Sequence, residues 1–268
     1  MDRSSQVLAA TAPASRAEDV ERIRLALGEA QKALEKLGGD VWVGRKAGGD
    51  QVTAADHAID ETLRSVLPRP DEGWLSEETA DDPIRLERNR VWVVDPLDGT
   101  QEFVAGIPEW CVSIGLVEDG LPVAGGVFNP ATGELILGSV GAGVTLNGQP
   151  VTARACRDLR GAEVLASRSE VRRGEWADSA APFRVTPMGS VAYKLARVAA
   201  GLTDATWTLS PKHEWDVAGG AALVLAAGGE IRTLEWEPPL FNRRNPWLSG
   251  LVATPASLSE SVRSYLGR

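Results

Sequence analysis

The stretch VWVVDPLDGTQEF, residues 91–103, decides how the rest of this chain is interpreted. Its first four residues are apolar and strand-forming, and Asp95 and Asp98 follow with Pro96 between them. We expect Pro96 to end a central strand, because proline has no N–H to donate to the next strand. Gly99 then allows a backbone conformation or a close approach that a side chain would prevent. The sequence therefore predicts a buried strand that delivers two carboxylates into a tight turn.

Two aspartates separated by two residues suit a metal site or an ordinary turn. The D-x-x-D spacing can present two carboxylates and an intervening backbone carbonyl to one cation, and hard cations bind several such oxygens. The alternative is a solvated β-turn, since Asp, Pro and Gly are all favoured in turns. This stretch alone leaves both interpretations open.

Other acidic residues also stand at the ends of predicted elements. Glu77 and Glu78 end a strand in WLSEE, where a solvated acidic loop is the ordinary explanation. Asp56 forms a capping box with Thr53, or it binds metal. Asp216 lies in the first turn of a helix, where the helix dipole favours an acid. These separate explanations do not account for so many carboxylates at element ends.

Composition narrows the class of protein. The 268 residues, with 43% hydrophobic and 24% charged, suit a globular chain with a real core. The N-terminus lacks the basic flank and apolar run of a signal peptide, so we expect a cytoplasmic protein that does not bind membranes. A net charge of -9 disfavours binding to a nucleic acid polymer. With two histidines and two cysteines, any metal is expected to be a hard cation held by oxygen.

The pattern of elements changes near the middle of the chain. Apolar spacing predicts helices over residues 16–37 and from Thr53 to Pro68, and residues 111–140 are typical of an antiparallel meander. After about residue 155, strands and helices alternate, as in a layered α/β unit. We therefore expect an N-terminal α+β half over 1–150 and a C-terminal α/β half over 151–268.

The motifs resemble a known enzyme family. VWVVDPLDGTQEF, with LSEE upstream and EWDVAGG downstream, is similar to the signatures of the inositol monophosphatase superfamily, D-P-[IL]-D-G-T and W-D-x-A-[GA]-G. The T-A-x-D helix start and the G-S-x-A segment at Gly189 also match, and the resemblance extends from about residue 16 to 255. It implies a magnesium-dependent, lithium-sensitive phosphomonoesterase. The implied fold is α/β (α+β), a layered α-β-α-β-α sandwich of the inositol monophosphatase and fructose-1,6-bisphosphatase type.

The resemblance also implies roles for individual residues. Two magnesium ions are expected, one held by Glu77, Asp95 and the Leu97 carbonyl and one by Asp95, Asp98 and Asp216, with Asp56 and Glu77 at a weaker third position. Most of these ligands fall in the N-terminal half, and the C-terminal half completes the site. Thr100 and Glu77 would be catalytic, orienting and deprotonating a water. The implied substrate contacts are Glu77, Leu97, Asp98, Gly99, Thr100, Ser190 and Asp216.

The substrate branch rests on finer details of the same motifs. LSEE, DPLDGTQEF and EWD are similar to bacterial 3′(2′),5′-bisphosphate nucleotidases, which favours 3′-phosphoadenosine 5′-phosphate as the small phosphorylated substrate. Residues 242–244, Asn-Arg-Arg, either reach a second phosphate or form a solvated basic loop. Lys194 either faces the substrate or extends along its helix to solvent.

Alternative functions stay open at this stage. They are an inositol-1-monophosphatase, another sugar or histidinol phosphate phosphatase, and a non-catalytic metal-binding regulatory protein. The oligomeric state is also open, with a homodimer among the alternatives.

Overall fold

The computed structural model describes residues 13–38, 43–45, 51–177 and 181–267. The first twelve residues, on which the expectation about a signal peptide partly rests, lie outside this described part. Among the residues that are described, no helix is both long and apolar enough to cross a membrane.

Helices and strands follow one another along the whole described chain. In order they are α1 (Pro13–Lys36), β1 (Val43–Arg45), β2 (Gln51–Thr53), α2 (Ala54–Val66), β3 (Gly73–Ser76), a 3₁₀ helix (Pro83–Glu87), β4 (Arg90–Asp98), α3 (Thr100–Val104), β5 (Cys111–Glu118), β6 (Leu121–Asn129), β7 (Glu134–Ser139), β8 (Gly143–Leu146), β9 (Gln149–Val151), β10 (Glu163–Ser167), α4 (Arg168–Arg172), β11 (Arg184–Met188), α5 (Val191–Ala199), β12 (Ala205–Thr208), β13 (Lys212–His213), α6 (Glu214–Ala226), β14 (Gly229–Arg232), β15 (Trp247–Leu248), β16 (Leu251–Pro255) and α7 (Ser259–Tyr265).

The first large sheet has seven strands in the order β3-β4-β5-β6-β7-β8-β9. Only β3 and β4 pair in parallel, and the other neighbours are antiparallel, so the predicted meander is correct. Helices α1 and α2 cover one face, because apolar side chains recur along one side of each helix. Ile59 and Leu63 of α2 are fully buried in the same cluster as Trp92 of β4.

The second large sheet has five strands in the order β11-β10-β12-β16-β14. Strand β16 lies between β12 and β14 and pairs antiparallel with both. Helices α5 and α6 contact strands of both sheets and form the layer between them. Helix α7 packs on the outer face of the second sheet, where Leu258 and Val262 share a cluster with Trp207. The predicted α-β-α-β-α layering is confirmed.

Glycines bring α6 unusually close to the first sheet. A Cβ on Gly125 of β6 would lie 2.3 Å from the carbonyl oxygen of Gly219 in α6. A Cβ on Gly115 of β5 would lie 2.7 Å from the Ala218 carbonyl carbon. Neither distance is compatible with a side chain, so backbone packs against backbone. This contact fixes the height of α6 above the sheet and thereby the position of its first turn.

Strand β4 does not end at Pro96, contrary to the expectation from the sequence. Asp95 pairs with Ser113 and Asp98 pairs with Cys111, so one extra residue of β4 is accommodated between them. A bulge leaves a residue outside the ladder, and a proline that cannot donate fits there without a lost hydrogen bond. The strand therefore continues past the proline and carries both aspartates.

Candidate active site

The turn after β4 is held by local hydrogen bonds. Asp95 is 1% exposed, and its Oδ1 accepts a hydrogen bond from the Leu97 N–H at 3.0 Å. Gly99 has a left-handed φ of 100°, and a Cβ there would lie 2.9 Å from the Glu109 carbonyl oxygen. Thr100 begins α3, and its hydroxyl donates to the Leu97 carbonyl at 3.2 Å. The turn thus needs glycine at one position and holds the Leu97 carbonyl beside the Thr100 hydroxyl.

The two glutamates after β3 point to different places. Glu77 lines a cleft, and its backbone N–H donates to the Val94 carbonyl of β4 at 3.3 Å. The Glu78 side chain is buried, and its Oε2 lies 3.9 Å from Nδ1 of His57 on α2. The interpretation of the pair as a solvated loop is therefore wrong for Glu78, and only Glu77 faces the cleft.

Asp56 forms the capping box that its sequence suggested. The Asp56 Oδ2 accepts from the Thr53 N–H at 2.8 Å, and the Thr53 hydroxyl accepts from the Ala55 and Asp56 N–H groups. Asp56 is 1% exposed, and its other oxygen accepts from the Thr100 hydroxyl at 3.4 Å. Capping therefore occupies one carboxylate oxygen, and the second oxygen faces the β4 turn.

Asp98 joins the two halves of the chain. Its Oδ2 accepts from the Ser190 hydroxyl and from the Ala192 N–H, both at 2.7 Å, at the start of α5. The Ser190 hydroxyl also accepts from the Tyr193 N–H at 3.0 Å, which caps the helix. Ser190 has a φ of 52°, a strained value for a residue with a side chain. The predicted substrate residue Ser190 lines the cleft, while its hydroxyl serves Asp98 and the helix.

Lys194 stabilises the strained backbone around Ser190. It lines the cleft but is 2% exposed, and its amine donates to the carbonyls of Ser190 at 2.9 Å and Met188 at 3.2 Å. Burial lowers the pKa of the Lys194 amine to about 8, although Asp98 favours its charged form. Of the two alternatives for Lys194, extension to solvent is wrong, because its amine is buried and bonded to carbonyls inside the protein.

Asp216 stands in the first turn of α6. Its Oδ2 accepts from the His213 N–H at 3.0 Å, so it fills the helix-start role that its position indicated. His213 stacks on Trp215 with ring centroids 4.1 Å apart, and both residues line the cleft beside Asp216. The close packing of α6 on the first sheet brings this carboxylate to the end of β4.

The cleft has a volume of about 360 Å³ and opens between the two halves. The sequence-predicted residues that line it are Glu77, Asp95, Leu97, Asp98, Gly99, Thr100, Ser190 and Asp216. Asp56 does not line the cleft and reaches it only through the hydroxyl of Thr100. Residues from distant parts of the sequence thus meet at one place.

Each carboxylate in the cleft makes ionisation of its neighbours less favourable. Burial raises the pKa of Asp95 well above its usual value, and the charges of Glu77, Asp98, Asp216 and Asp56 raise it further. Burial and the charge of Asp98 likewise raise the pKa of Asp216. For Asp98, burial raises the pKa, although the hydrogen bonds from Ser190 and Ala192 oppose this. A bound cation would remove this repulsion.

The donor set fits a hard cation such as Mg²⁺. Among the described residues, no group of three or more His, Cys, Asp or Glu side chains is already arranged to hold a metal ion. However, Asp95, Asp98 and Asp216 each bind a backbone N–H through one oxygen, and their second oxygens accept no hydrogen bond from the described residues. Buried oxygens of this kind are the ligands that Mg²⁺ prefers.

Several cleft residues were not predicted from the sequence. They are Gln101, Glu102, Ser167, Arg168, Ser169, Arg172, Met188, Gly189, Val191, Lys212, His213 and Trp215. Arg168 binds Glu109, whose Oε2 also accepts from the Gly189 N–H at 2.8 Å. No periodic or motif signal marks Arg172 or Lys212. The interpretation that Asn242 reaches a phosphate is wrong, because its side chain bonds to the buried Arg85.

Comparisons with known proteins agree with this geometry. The sequence profile of the Inositol monophosphatase family matches residues 5–265. The chain belongs to the inositol monophosphatase family. It is thus a phosphatase of a family in which magnesium dependence is typical, as the motifs indicated.

Relatives of this chain are named after different phosphatases of the family. It is 36% identical to Inositol monophosphatase 3 of Solanum lycopersicum over 68% of this chain and 73% of that protein. It is 32% identical to the 3′-phosphoadenosine 5′-phosphate phosphatase of Mycobacterium leprae over 79% of this chain and 82% of that protein. The structure of inositol monophosphatase from Anabaena (Nostoc) sp. PCC 7120 matches with a TM-score of 0.76 and 26% identity, covering 95% of this chain and 96% of that chain.

Proposed function

We propose that this phosphatase hydrolyses 3′-phosphoadenosine 5′-phosphate, with a water activated at a magnesium centre as the nucleophile. The observation that supports this chemistry best is the buried set of carboxylates at the end of β4, which raise one another's pKa in a cleft open to a small molecule. A divalent cation between its members would offset this repulsion and favour the ionised form of each carboxylate.

We assign the metal ligands as the sequence suggested. Glu77, Asp95 and the Leu97 carbonyl would hold one ion, and Asp95, Asp98 and Asp216 a second. Asp56 belongs to a weaker third position with Glu77, because its capping bond leaves one oxygen directed to Thr100. When bound, two such ions neutralise phosphate charge, lower the pKa of a water and stabilise the leaving oxygen.

The protein groups orient the water and the phosphate. Thr100 would accept a hydrogen bond from the attacking water, because its own proton is directed to the Leu97 carbonyl and Asp56. Glu77 would then take the water's proton, since it lines the same cleft as Thr100. The N–H groups of Gly99 and Thr100 lie at the start of α3, where backbone N–H groups lack helical partners and can face a phosphate oxygen.

The choice of substrate rests on the motif details and on the charge of the cleft. Arg168, Arg172, Lys194 and Lys212 line the same cleft as the carboxylates, which suits a substrate with more than one phosphate. The 32% identical M. leprae relative carries that activity in its name. The alternative is inositol 1-phosphate, which the name of the 36% identical Solanum relative favours. A histidinol or sugar phosphate is a further alternative from the motifs.

A substrate panel tests the proposal directly. Phosphate release is measured with and without Mg²⁺ for 3′-phosphoadenosine 5′-phosphate, inositol 1-phosphate, histidinol phosphate and fructose 1,6-bisphosphate. We expect the highest kcat/KM for the first substrate and no turnover after chelation. A higher kcat/KM for inositol 1-phosphate would assign the enzyme to the inositol branch and leave the metal chemistry intact.

Asp95→Asn tests the metal centre separately. It should abolish turnover, and the melting temperature of the metal-free protein should hold or rise, because one member of a repelling set is neutralised. Asp71→Asn, on the exposed surface outside the cleft, is the matched control. Asp95→Asn activity within a few-fold of wild type would overturn the assignment.

The proposal also includes a cytoplasmic location and two bound magnesium ions with a weaker third. The oligomeric state is either a monomer or a homodimer. Titration calorimetry with Mg²⁺ gives the number of ions, and sedimentation velocity gives the oligomeric state.

A further inference from the structure

Two cations in the cleft, unlike Arg168 and Lys194, have no hydrogen-bond or ion-pair partner for their side chains among the described residues. They are Arg172, exposed at the end of α4, and Lys212, half-buried in β13. Most arginines of this acidic chain do have partners, including Arg168, which binds Glu109 beside the same cleft. Unpaired positive charges in a cleft raise the local concentration of anions there.

A buried glutamate braces the two segments that carry these cations. Glu170 of α4 is fully buried, and its carboxylate accepts from the Trp176 indole at 3.0 Å and from the N–H groups of Leu209 and Ser210 at 3.2 and 3.1 Å. The Thr208 hydroxyl donates to the same carboxylate. The bonds tie α4 directly to the chain that leads into β13.

Lys212 also lies within electrostatic reach of the catalytic side of the cleft. Lys212 immediately precedes His213, whose N–H binds Asp216, and it lines the same cleft as Asp98. An anion bound by Lys212 and Arg172 would therefore sit beside the phosphate under attack, on the wall formed by the C-terminal half. Each cation donates charge-assisted hydrogen bonds to phosphate oxygens.

We propose that Arg172 and Lys212 form a second anion subsite that binds the non-reacting phosphate of a bisphosphorylated substrate. This inference rests on the proposed function, since it assumes that the first phosphate is hydrolysed at the carboxylates. Arg168 does not take this role, because its guanidinium is committed to Glu109 and lies 3.8 Å from Glu102. An uncharged polyol ring would gain nothing from these two cations, so the subsite selects for charge.

A pair of nucleotides that differ by one phosphate isolates the subsite. kcat/KM is measured for adenosine 3′,5′-bisphosphate and adenosine 3′-monophosphate, and the ratio of the two values is compared among variants. We expect a ratio well above one for the wild type, a fall of about tenfold for Arg172→Ala and for Lys212→Ala, and loss of the preference in the double variant. Because the subsite is open to solvent, the wild-type preference should also weaken as salt concentration rises.

Arg173→Ala is the matched control. Arg173 is the neighbouring exposed arginine, but it pairs with Glu175 and Ser210 and does not line the cleft. It should leave the ratio unchanged. A thermal melt of each variant excludes unfolding as the cause of any loss.

The possible failures are distinct. Equal kcat/KM values for the two nucleotides, equal losses on both in the variants, or the same fall for Arg173→Ala would overturn the subsite. Turnover of inositol 1-phosphate but of neither nucleotide would also overturn it, while the phosphatase chemistry would stand. Absence of Mg²⁺-dependent turnover with every substrate, including 4-nitrophenyl phosphate, would overturn the proposed function itself.

Discussion

Substituting Gly125 tests the close packing that places Asp216 in the active site. In Gly125→Ala the new methyl group would lie 2.3 Å from the Gly219 carbonyl oxygen, so α6 must retreat by about 1 Å to reach an ordinary contact. Overpacking of this kind costs about 1–3 kcal/mol. For a chain of this size that corresponds to a fall in melting temperature of roughly 2–6 °C.

Gly28→Ala is a control with the opposite expected sign. Gly28 lies inside α1, and a Cβ there would have nothing within 4 Å. Replacing glycine by alanine inside a helix gains about 0.5–1 kcal/mol, so the melting temperature should rise by about 2 °C. Both variants are melted in chelator and then titrated with Mg²⁺ by calorimetry. Only Gly125→Ala should also lose magnesium affinity, because a shift of α6 displaces Asp216.

Two outcomes would refute this reasoning. If Gly125→Ala melts at or above the wild-type temperature, α6 does not lie against β6 as closely as described. If it melts lower but binds magnesium as tightly as the wild type, the position of α6 does not control the metal site.

Three further predictions concern other parts of the molecule. Thr100→Ala should lower turnover by roughly 10²–10⁴-fold with little change in magnesium affinity. Thr100→Ser keeps the hydroxyl and should retain most activity. A large loss of magnesium affinity in Thr100→Ala would contradict the role given to this side chain. Lys194→Met leaves buried carbonyls without their donor, so urea unfolding should show a loss of about 2 kcal/mol, and unchanged stability would disprove its supporting role. Burial disfavours the charge of Glu72, but hydrogen bonds from Arg22 and the Trp92 indole prevail and hold its pKa at about 2. A lowered carboxylate pKa stabilises the fold above pH 4.5, and this stabilisation is lost as the pH falls toward 2. In chelator, Glu72→Gln should therefore lower the free energy of unfolding by about 2 kcal/mol at pH 7 and by much less at pH 3. A loss that does not depend on pH would contradict this.

The motifs gave the family and the acidic side of the cleft because those features are local in sequence. The D-x-x-D turn, the capping box at Asp56 and the helix start at Asp216 each have a recognisable spacing. The continuation of β4 past Pro96 could not be predicted, since it depends on which residues of β5 lie opposite. Likewise, β16 is short and apolar, and only the finished sheet shows that it lies between β12 and β14.

The basic side of the cleft could not be found in the same way. Arg172 and Lys212 line one cleft although they are 40 positions apart, and buried Glu170 ties their segments together across the fold. A sequence pattern does not show which arginines are paired, and most arginines here are. Similarly, the sequence left Lys194 facing either the substrate or solvent, and it could not show that the backbone at Ser190 offers carbonyl acceptors to the amine.

The middle position of α6 has a consequence for how the enzyme refolds. This helix covers the inner faces of both sheets, so neither sheet can exclude water from that face until α6 docks. The contacts involved join segments far apart in the chain, and such non-local contacts form slowly because long loops must close first. Magnesium affinity should accordingly return in the last kinetic phase of refolding after dilution from urea. The secondary-structure signal of the meander, β5 to β7, should return earlier.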